Sequence, residues 1–266
     1  MSFNNKVMLI TGGGNGIGRE VVLKLLKEGA KVIALDISEE NLIVTKNLAN
    51  EISNEFSYFV IDITKKEQIE ELPQKIINKY DKIDGVLNVA GIIQPFVKVN
   101  ELNYESIEKV MQVNFYGTLY MIKTFLPYLL NNKETSYISN VSSMGGFLPV
   151  PGQSVYGASK AAVKLLTEAL YAELKNSNVR VSIVFPGAIA TNIAKNSGIE
   201  IHTDVKASKF KQLSAIKAAE KILKGIKKEK FRILVGKDAK IMDILYRLNP
   251  KRAVHIILSK MKSLLK

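Results

Sequence analysis

The chain has 266 residues, 47% of them hydrophobic, enough for one large α/β core. It has no cysteine and two histidines; this excludes disulfides, thiolate metal sites and cysteine nucleophiles, speaks against a His-rich metal centre or a histidine-based triad, and leads us to assign no metal ligands. The net charge of +13 is confined to one end: residues 206–266 hold 18 Lys or Arg against 4 Asp or Glu, whereas 1–205 hold 20 against 21, an asymmetry that points to an anionic partner for the C-terminal part.

The chain opens with "MSFNNKVMLITGG", which enters a strand pattern at once and lacks a signal-peptide segment. No run approaches the ~18 apolar residues of a membrane span, so a cytoplasmic, soluble protein is expected. "KVMLIT" (6–11) reads as a strand buried on both faces. "TGGGNGIG" (11–18) follows, then a helix over 18–30 with Val21, Val22, Leu25 and Leu26 on one stripe and Gly29 closing it. A strand turning into a helix through glycines lets the backbone approach a pyrophosphate at the helix N-terminus. Gly12, Asn15, Gly16, Ile17 and Gly18 are therefore candidate cofactor contacts. "KVIALD" (31–36) is the second strand, and Asp36 at its end can accept hydrogen bonds from a ribose. The same carboxylate would repel a 2′-phosphate. Ile37 follows it, and no Arg or Lys lies between Lys31 and Lys46 to receive such a phosphate. This favours NAD over NADP.

The alternation continues with helix 38–52, strand 56–62, helix 65–80, strand 84–91, a long helix around 104–130, strand 136–143, a helix from about 154 to Lys175, strand 180–187, helix 214–227 and strand 231–236. Such alternation means βαβ units and a parallel sheet covered on both sides. We expect one doubly wound α/β domain over 1–236, with an amphipathic basic extension over 237–266. Residues 191–213 are polar, weakly periodic and long for a connector, as lids and substrate-binding segments often are. The extension, with "IMDILYRL" and "AVHIILSKMKSLL" broken at Pro250, could lie on an anionic membrane, cover the site, or pack against a second subunit. Nucleic acid is disfavoured, because only Arg232, Arg247 and Arg252 of the basic region carry the guanidinium fork.

"SVYGASKAAVKLL" (154–166) sets Lys160 four residues after Tyr156. On a helix the two share a face, and an ammonium so close favours the phenolate. The pair reads as a tuned acid/base.

Together these features resemble the short-chain dehydrogenase/reductase family: TGGGNGIG, Asp36, Asp62-Ile63, "NVAG" (88–91), Asn114, the serines at 142–143, Tyr156-x-x-x-Lys160 and "PGAIAT" (186–191), in the family's order over residues 6 to about 236. The resemblance implies a Rossmann-type fold and an oxidoreductase in which Tyr156 exchanges a proton with a carbonyl or alcohol oxygen. Lys160 would hold the ribose hydroxyls and depress the Tyr156 pKa, aided by the positive nicotinamide of the oxidised cofactor. Ser143, 13 positions before the tyrosine, would hydrogen-bond the reacting oxygen, with Ser142 facing the other way. Asn114 would hold a relay water or satisfy a local backbone kink. Asp62 and Ile63 would contact the adenine; Asn88, Ala90 and Gly91 would line the groove beside the ribose; Pro186, Gly187, Ile189 and Thr191 would fix the carboxamide. Val89 departs from the family's commoner asparagine.

The substrate is expected to be an apolar carbonyl or secondary alcohol, on the strength of Phe96, Phe147, Leu148 and Val150, with Gln153 orienting it; the same side chains could instead seal a subunit interface. A homo-oligomer is expected, with peripheral contact of 206–266 to an anionic membrane or an acidic carrier left open. The rival readings are an NADPH-dependent 3-oxoacyl-type ketoreductase, which Asp36 opposes, and a non-catalytic dinucleotide-binding protein, which has no need of a proton donor.

Overall fold

The structure, a computed structural model, describes residues 2–199 and 212–261. The first half runs β1 (Val7–Thr11), α1 (Gly16–Lys27), β2 (Lys31–Asp36), α2 (Glu39–Asn50), β3 (Phe56–Val60), α3 (Lys66–Glu70), α4 (Leu72–Tyr80) and β4 (Gly85–Asn88). Next come α5 (Tyr104–Met111), α6 (Thr118–Leu130), β5 (Ser136–Val141), α7 (Ser154–Glu173) and β6 (Val179–Pro186). The chain ends with β7 (Ile189–Ala190), α8 (Ile193–Asn196), β8 (Leu213–Ser214), α9 (Ala215–Lys227), β9 (Arg232–Val235), α10 (Lys237–Leu248) and α11 (Pro250–Met261).

The seven expected strands form one parallel sheet in the order β3-β2-β1-β4-β5-β6-β9. Its period-2 alternation divides the core in two. Met8 and Ile10 of β1 pack with Val21 and Leu25 of α1 and Ile222 of α9. Val7 and Leu9 pack instead with Ile76 of α4 and Phe125 and Leu129 of α6. Both faces being covered explains why these strands read as unbroken apolar runs. Each such side chain contributes about 1.5–3 kcal/mol when fully buried. The strand order reverses between β1 and β4, and at such a switch point the carboxyl ends of the strands part to form a crevice.

Several boundaries differ from expectation for local reasons. The helix expected over 65–80 is two helices meeting at Glu71, with Pro73 in the first turn of α4; a proline there loses no helical hydrogen bond. The strand expected over 84–91 stops at Asn88, because the N–H groups of Val89 and Ala90 donate to Thr11 Oγ1 at 3.0 and 3.1 Å instead. The long helix contains a π-turn, Gln112–Gly117, between α5 and α6. Gly117 there lies against Ile63, whose Cδ1 would be 2.8 Å from an added Cβ.

The C-terminal segment folds back on its own chain. Met242, Ala253 and Ile257 bury against Leu148, with Met144, Phe147, Leu245 and Tyr246 around them. Arg232 of β9 donates to Glu168 of α7 at 2.7 Å and to Asp243 of α10 at 2.9 Å. Its guanidinium lies 4.5 Å from the centre of the Phe185 ring. Strands β7 and β8 pair in parallel and close the base of the 191–213 segment, most of which, with His202, lies outside the described residues.

Candidate active site

The crevice floor is the turn between β1 and α1. Gly12 has φ +69°, and an added Cβ would stand 2.9 Å from the Ala90 Cα; no other residue type meets both demands. Asn15 caps α1, its Oδ1 accepting from Gly16 N at 2.6 Å. Ile17 packs on the core and Gly18 is buried. The first turn of α1 holds no carboxylate, so its N–H groups and dipole face the crevice unopposed by negative charge. Thr191 approaches from the far wall, 3.5 Å from where a Gly16 Cβ would be.

Asp36 accepts from Gly14 N at 3.0 Å through Oδ2 and from Ser38 N at 3.1 Å through Oδ1. Two N–H groups leave lone pairs free on a carboxylate. Ser38, not Asp36, caps α2. Ile37 is two-thirds exposed. Asp62 accepts from Thr64 N and Thr64 Oγ1, and the Ile63 side chain turns into the core, so Ile63 offers the crevice backbone and not side chain. Asn88 Nδ2 donates to Asn140, and its Oδ1 is buried with no partner among the described residues. Pro186 is buried at the end of β6. Gly187 N donates to Val235 O, and Asp238 at the start of α10 accepts from Ala188 N at 2.7 Å. Ile189 packs on the first core cluster. The close glycine wall, the carboxylate-free helix start and the unpartnered Asn88 oxygen together fit a dinucleotide.

Beside this wall the structure brings together Asn114, Ser143, Tyr156 and Lys160. Lys160 is buried, its Nζ donating to Val141 O at 3.0 Å. A Cβ on Gly91 would lie 2.9 Å from that Nζ and 3.1 Å from Asn114 Oδ1, so the lysine reaches the crevice only because residue 91 has no side chain. Asn114 sits within the π-turn and is fully buried. It accepts from Ile92 N at 2.9 Å and donates to Ile92 O and Ser159 Oγ, both at 3.0 Å. Its side chain thus ties the backbone at Ile92 to α7, while its own carbonyl in the π-turn accepts from Thr118 Oγ1 at 2.9 Å. Ser142 Oγ donates to Lys160 O at 2.7 Å, away from the crevice. Ser143 Oγ accepts from Gly145 N at 3.0 Å, which leaves its proton for the Tyr156 hydroxyl, its hydrogen-bond partner.

Among the protein groups alone, burial governs the electrostatics of this pair. Burial pushes the Tyr156 phenol above its ordinary 10.0, and the Ser143 hydrogen bond draws it partly back. Lys160 does not lower it. Its ammonium is turned to the Val141 carbonyl and is itself held down to about 8 by burial. Desolvation penalises both charged forms, and proximity on a helix does not by itself reverse that.

Two expectations for the substrate wall also change. Leu148 is fully buried beneath α10 and α11, and Phe147 packs edge-on against Phe185, because the turn at 144–146 carries both under the C-terminal helices. Gln153 is buried and donates to Gln94 O and Gly152 O at 2.7 and 3.1 Å, holding a loop.

The sequence reading passed over Gln94. It is fully buried, and its Oε1 accepts from Val155 N and Tyr156 N at 2.8 and 2.9 Å. Residue 153, at the cap position of α7, makes no side-chain capping bond. Gln94 supplies it from 61 residues away, and a lone polar residue in "IIQPF" was the only available signal. Arg19 was missed likewise. It donates to Thr45 Oγ1 at 3.0 Å and to the carbonyls of Gly14 and Asn41, a cation brought near Asp36 by the fold.

Known proteins share this sequence pattern and fold. Residues 6–201 match the family model described as short chain dehydrogenase. A Mycobacterium tuberculosis protein named as an oxidoreductase, SadH, is 33% identical over 255 residues, covering 93% of this chain and 92% of that one. A short-chain dehydrogenase/reductase structure from Burkholderia phymatum in complex with NAD superposes with a TM-score of 0.83 at 25% identity, over 93% of this chain and 96% of that one. A short chain dehydrogenase from Burkholderia cenocepacia in complex with NADP gives 0.80 at 26% identity, over 97% and 99%.

Proposed function

The chain belongs to the short-chain dehydrogenase/reductase family of NAD(P)-dependent oxidoreductases, and on that premise we propose that it interconverts an apolar secondary alcohol and its ketone with NAD(H). The convergence of Tyr156, Ser143, Lys160 and Asn114 on the glycine-walled crevice carries this reading. When bound, the dinucleotide supplies or accepts the hydride. Tyr156 Oη gives its proton to the substrate oxygen in reduction and takes it in oxidation. Ser143, whose own lone pair is engaged by Gly145 N, hydrogen-bonds the same oxygen and stabilises charge developing there. Lys160, whose Nζ lies where a Gly91 side chain would be, would hold the ribose hydroxyls. Asn114 keeps the backbone open beside Lys160 for a proton path to solvent. A phenol pKa raised by burial keeps Tyr156 protonated at neutral pH, the form that can donate in reduction.

Asp36 favours NAD. Its oxygens retain acceptor capacity for ribose hydroxyls and would repel a 2′-phosphate, and Arg19 is committed to the carbonyls of the glycine turn and α2. Asp62 at its turn, Asn88 at the end of β4 with Ala90 and Gly91 just after it, and Pro186, Gly187, Ile189 and Thr191 on the far wall complete the cofactor contacts in this reading. The substrate enters beside Phe96 and Val150, and the protein acts as a homo-oligomer. A panel of alcohols and ketones with NAD(H) and NADP(H), followed by the absorbance of the reduced nicotinamide, tests it. Turnover of apolar secondary alcohols or ketones with NAD(H) is the expected result. A strict requirement for NADPH with 3-oxoacyl thioesters would replace this reading with the reductive one.

A further inference from the structure

We infer that the outer face of α10 and α11 is a seat for an anionic lipid bilayer. The inner face of this helix pair is accounted for, since Ala239, Met242, Ala253 and Ile257 are buried in the protein. Yet α10 carries a second apolar stripe pointing the other way. Ile241, Ile244 and Leu248 are 64%, 60% and 80% exposed. Their i, i+3, i+7 spacing puts them on one line of the helix, roughly 100° per residue. Lys237 stands in that stripe and Lys240 flanks it, both exposed, while the exposed Arg247 on the same flank reaches back to Asp243 at 3.2 Å. Lys251 and Arg252 extend the basic surface onto α11, where Leu258 is also exposed. Both carboxylates of the pair face inward: Asp238 accepts from Ala188 N, and Asp243 accepts from Arg232. Among the described residues from 237 to 259, the outer face shows no exposed carboxylate.

Single exposed apolar residues are ordinary, but a stripe rimmed by cations has its own chemistry. A second copy of the chain would set this basic face against itself, juxtaposing like charges across a two-fold axis. Nucleic acid would satisfy the cations and leave Ile241, Ile244 and Leu248 in water. An anionic bilayer satisfies both. The stripe enters the headgroup–acyl boundary while the lysines meet the lipid phosphates and carboxylates. The pair's inner face packs on Met144, the residue after Ser143, so a docked bilayer would lie one helix layer behind the candidate active site.

The test is co-sedimentation of the full-length protein with vesicles of phosphatidylcholine alone and of phosphatidylcholine mixed with phosphatidylserine. We expect binding to the anionic vesicles at least about 10-fold stronger, weakened by added salt. The triple variant Ile241→Ser, Ile244→Ser, Leu248→Ser should lose about 10-fold in vesicle binding with unchanged melting and unchanged turnover. Lys237→Glu with Lys240→Glu should remove the preference for anionic lipid. Equal or absent binding to the two vesicle types would overturn the inference. So would a triple variant that dissociates an oligomer, since the stripe would then be a subunit contact. Binding to polyglutamate as strong as to anionic vesicles, and indifferent to the triple variant, would make the face a seat for acidic protein and also overturn it.

Discussion

Tyr156 is a partly buried phenol asked to ionise, and its surroundings decide how readily it does so. Burial raises its pKa, and Ser143 is the group that draws it back. In the oxidation direction, kcat/KM of the free enzyme should keep rising with pH to above about 10, the ordinary phenol value. Ser143→Ala should move that limb further up, and a limb unmoved by the substitution would contradict the assigned contact. Tyr156→Phe should lower turnover at least about 100-fold while dinucleotide affinity, measured by fluorescence titration, stays near normal. Lys160 makes a separate prediction about stability. Its folded pKa of about 8 lies below the ordinary 10.5, so between these values the unfolded chain binds more protons and stability rises with pH. Below pH 8 the burial cost is fully present, up to about 3 kcal/mol. Lys160→Met should therefore be the more stable protein in urea at pH 7 and lose the rise between pH 8 and 10.5. Asp36→Ala should lose NAD affinity and gain relative tolerance of NADP; an unchanged ratio would place cofactor choice elsewhere.

At the scale of elements, α7 presents Tyr156 and Lys160 from its first two turns, and its N-terminus is held from outside by Gln94. Gln94→Leu leaves two part-buried N–H groups without an acceptor, at up to about 1–3 kcal/mol each. The denaturation midpoint should fall, and kcat should fall with it as Tyr156 loses its fixed position. Gln94→Glu keeps the acceptor but sets a buried carboxylate oxygen where Nε2 donates to Gly152 O at 3.1 Å, so it should recover stability only at low pH, where the carboxyl is protonated. The π-turn is the second such device. A helix over 104–130 was legible from its apolar periodicity, but the turn inside it was not. It depends on Ile63 meeting Gly117 and on Asn114 bonding Ile92, contacts that no spacing within the helix encodes.

For the whole molecule, Arg232 ties catalytic helix, sheet edge and C-terminal helices together through Glu168, Asp243 and Phe185. Charge-assisted bonds of this kind contribute about 1.5–3 kcal/mol each. Arg232→Met should lower stability by that order and speed proteolysis of α10 and α11 ahead of the sheet. Simultaneous loss of all regions would show that the tie is not local. Among the described residues no helix is long and apolar enough to cross a membrane, so contact with lipid would fall to the outer face of this same pair.

The order of strands and helices, the glycine turn, the acidic end of β2 and the Tyr156–Lys160 spacing were all readable along the chain. Each depends on residues within a turn or two of one another, where apolar period and backbone permission are local properties. The raised phenol pKa, the capping by Gln94, the approach of Arg19 to the glycine turn, the burial of Leu148 and the two-sided role of α10 were decided only by the tertiary structure. Desolvation and hydrogen-bond partnership depend on which distant segments close over a group, and the sequence near that group carries no record of them.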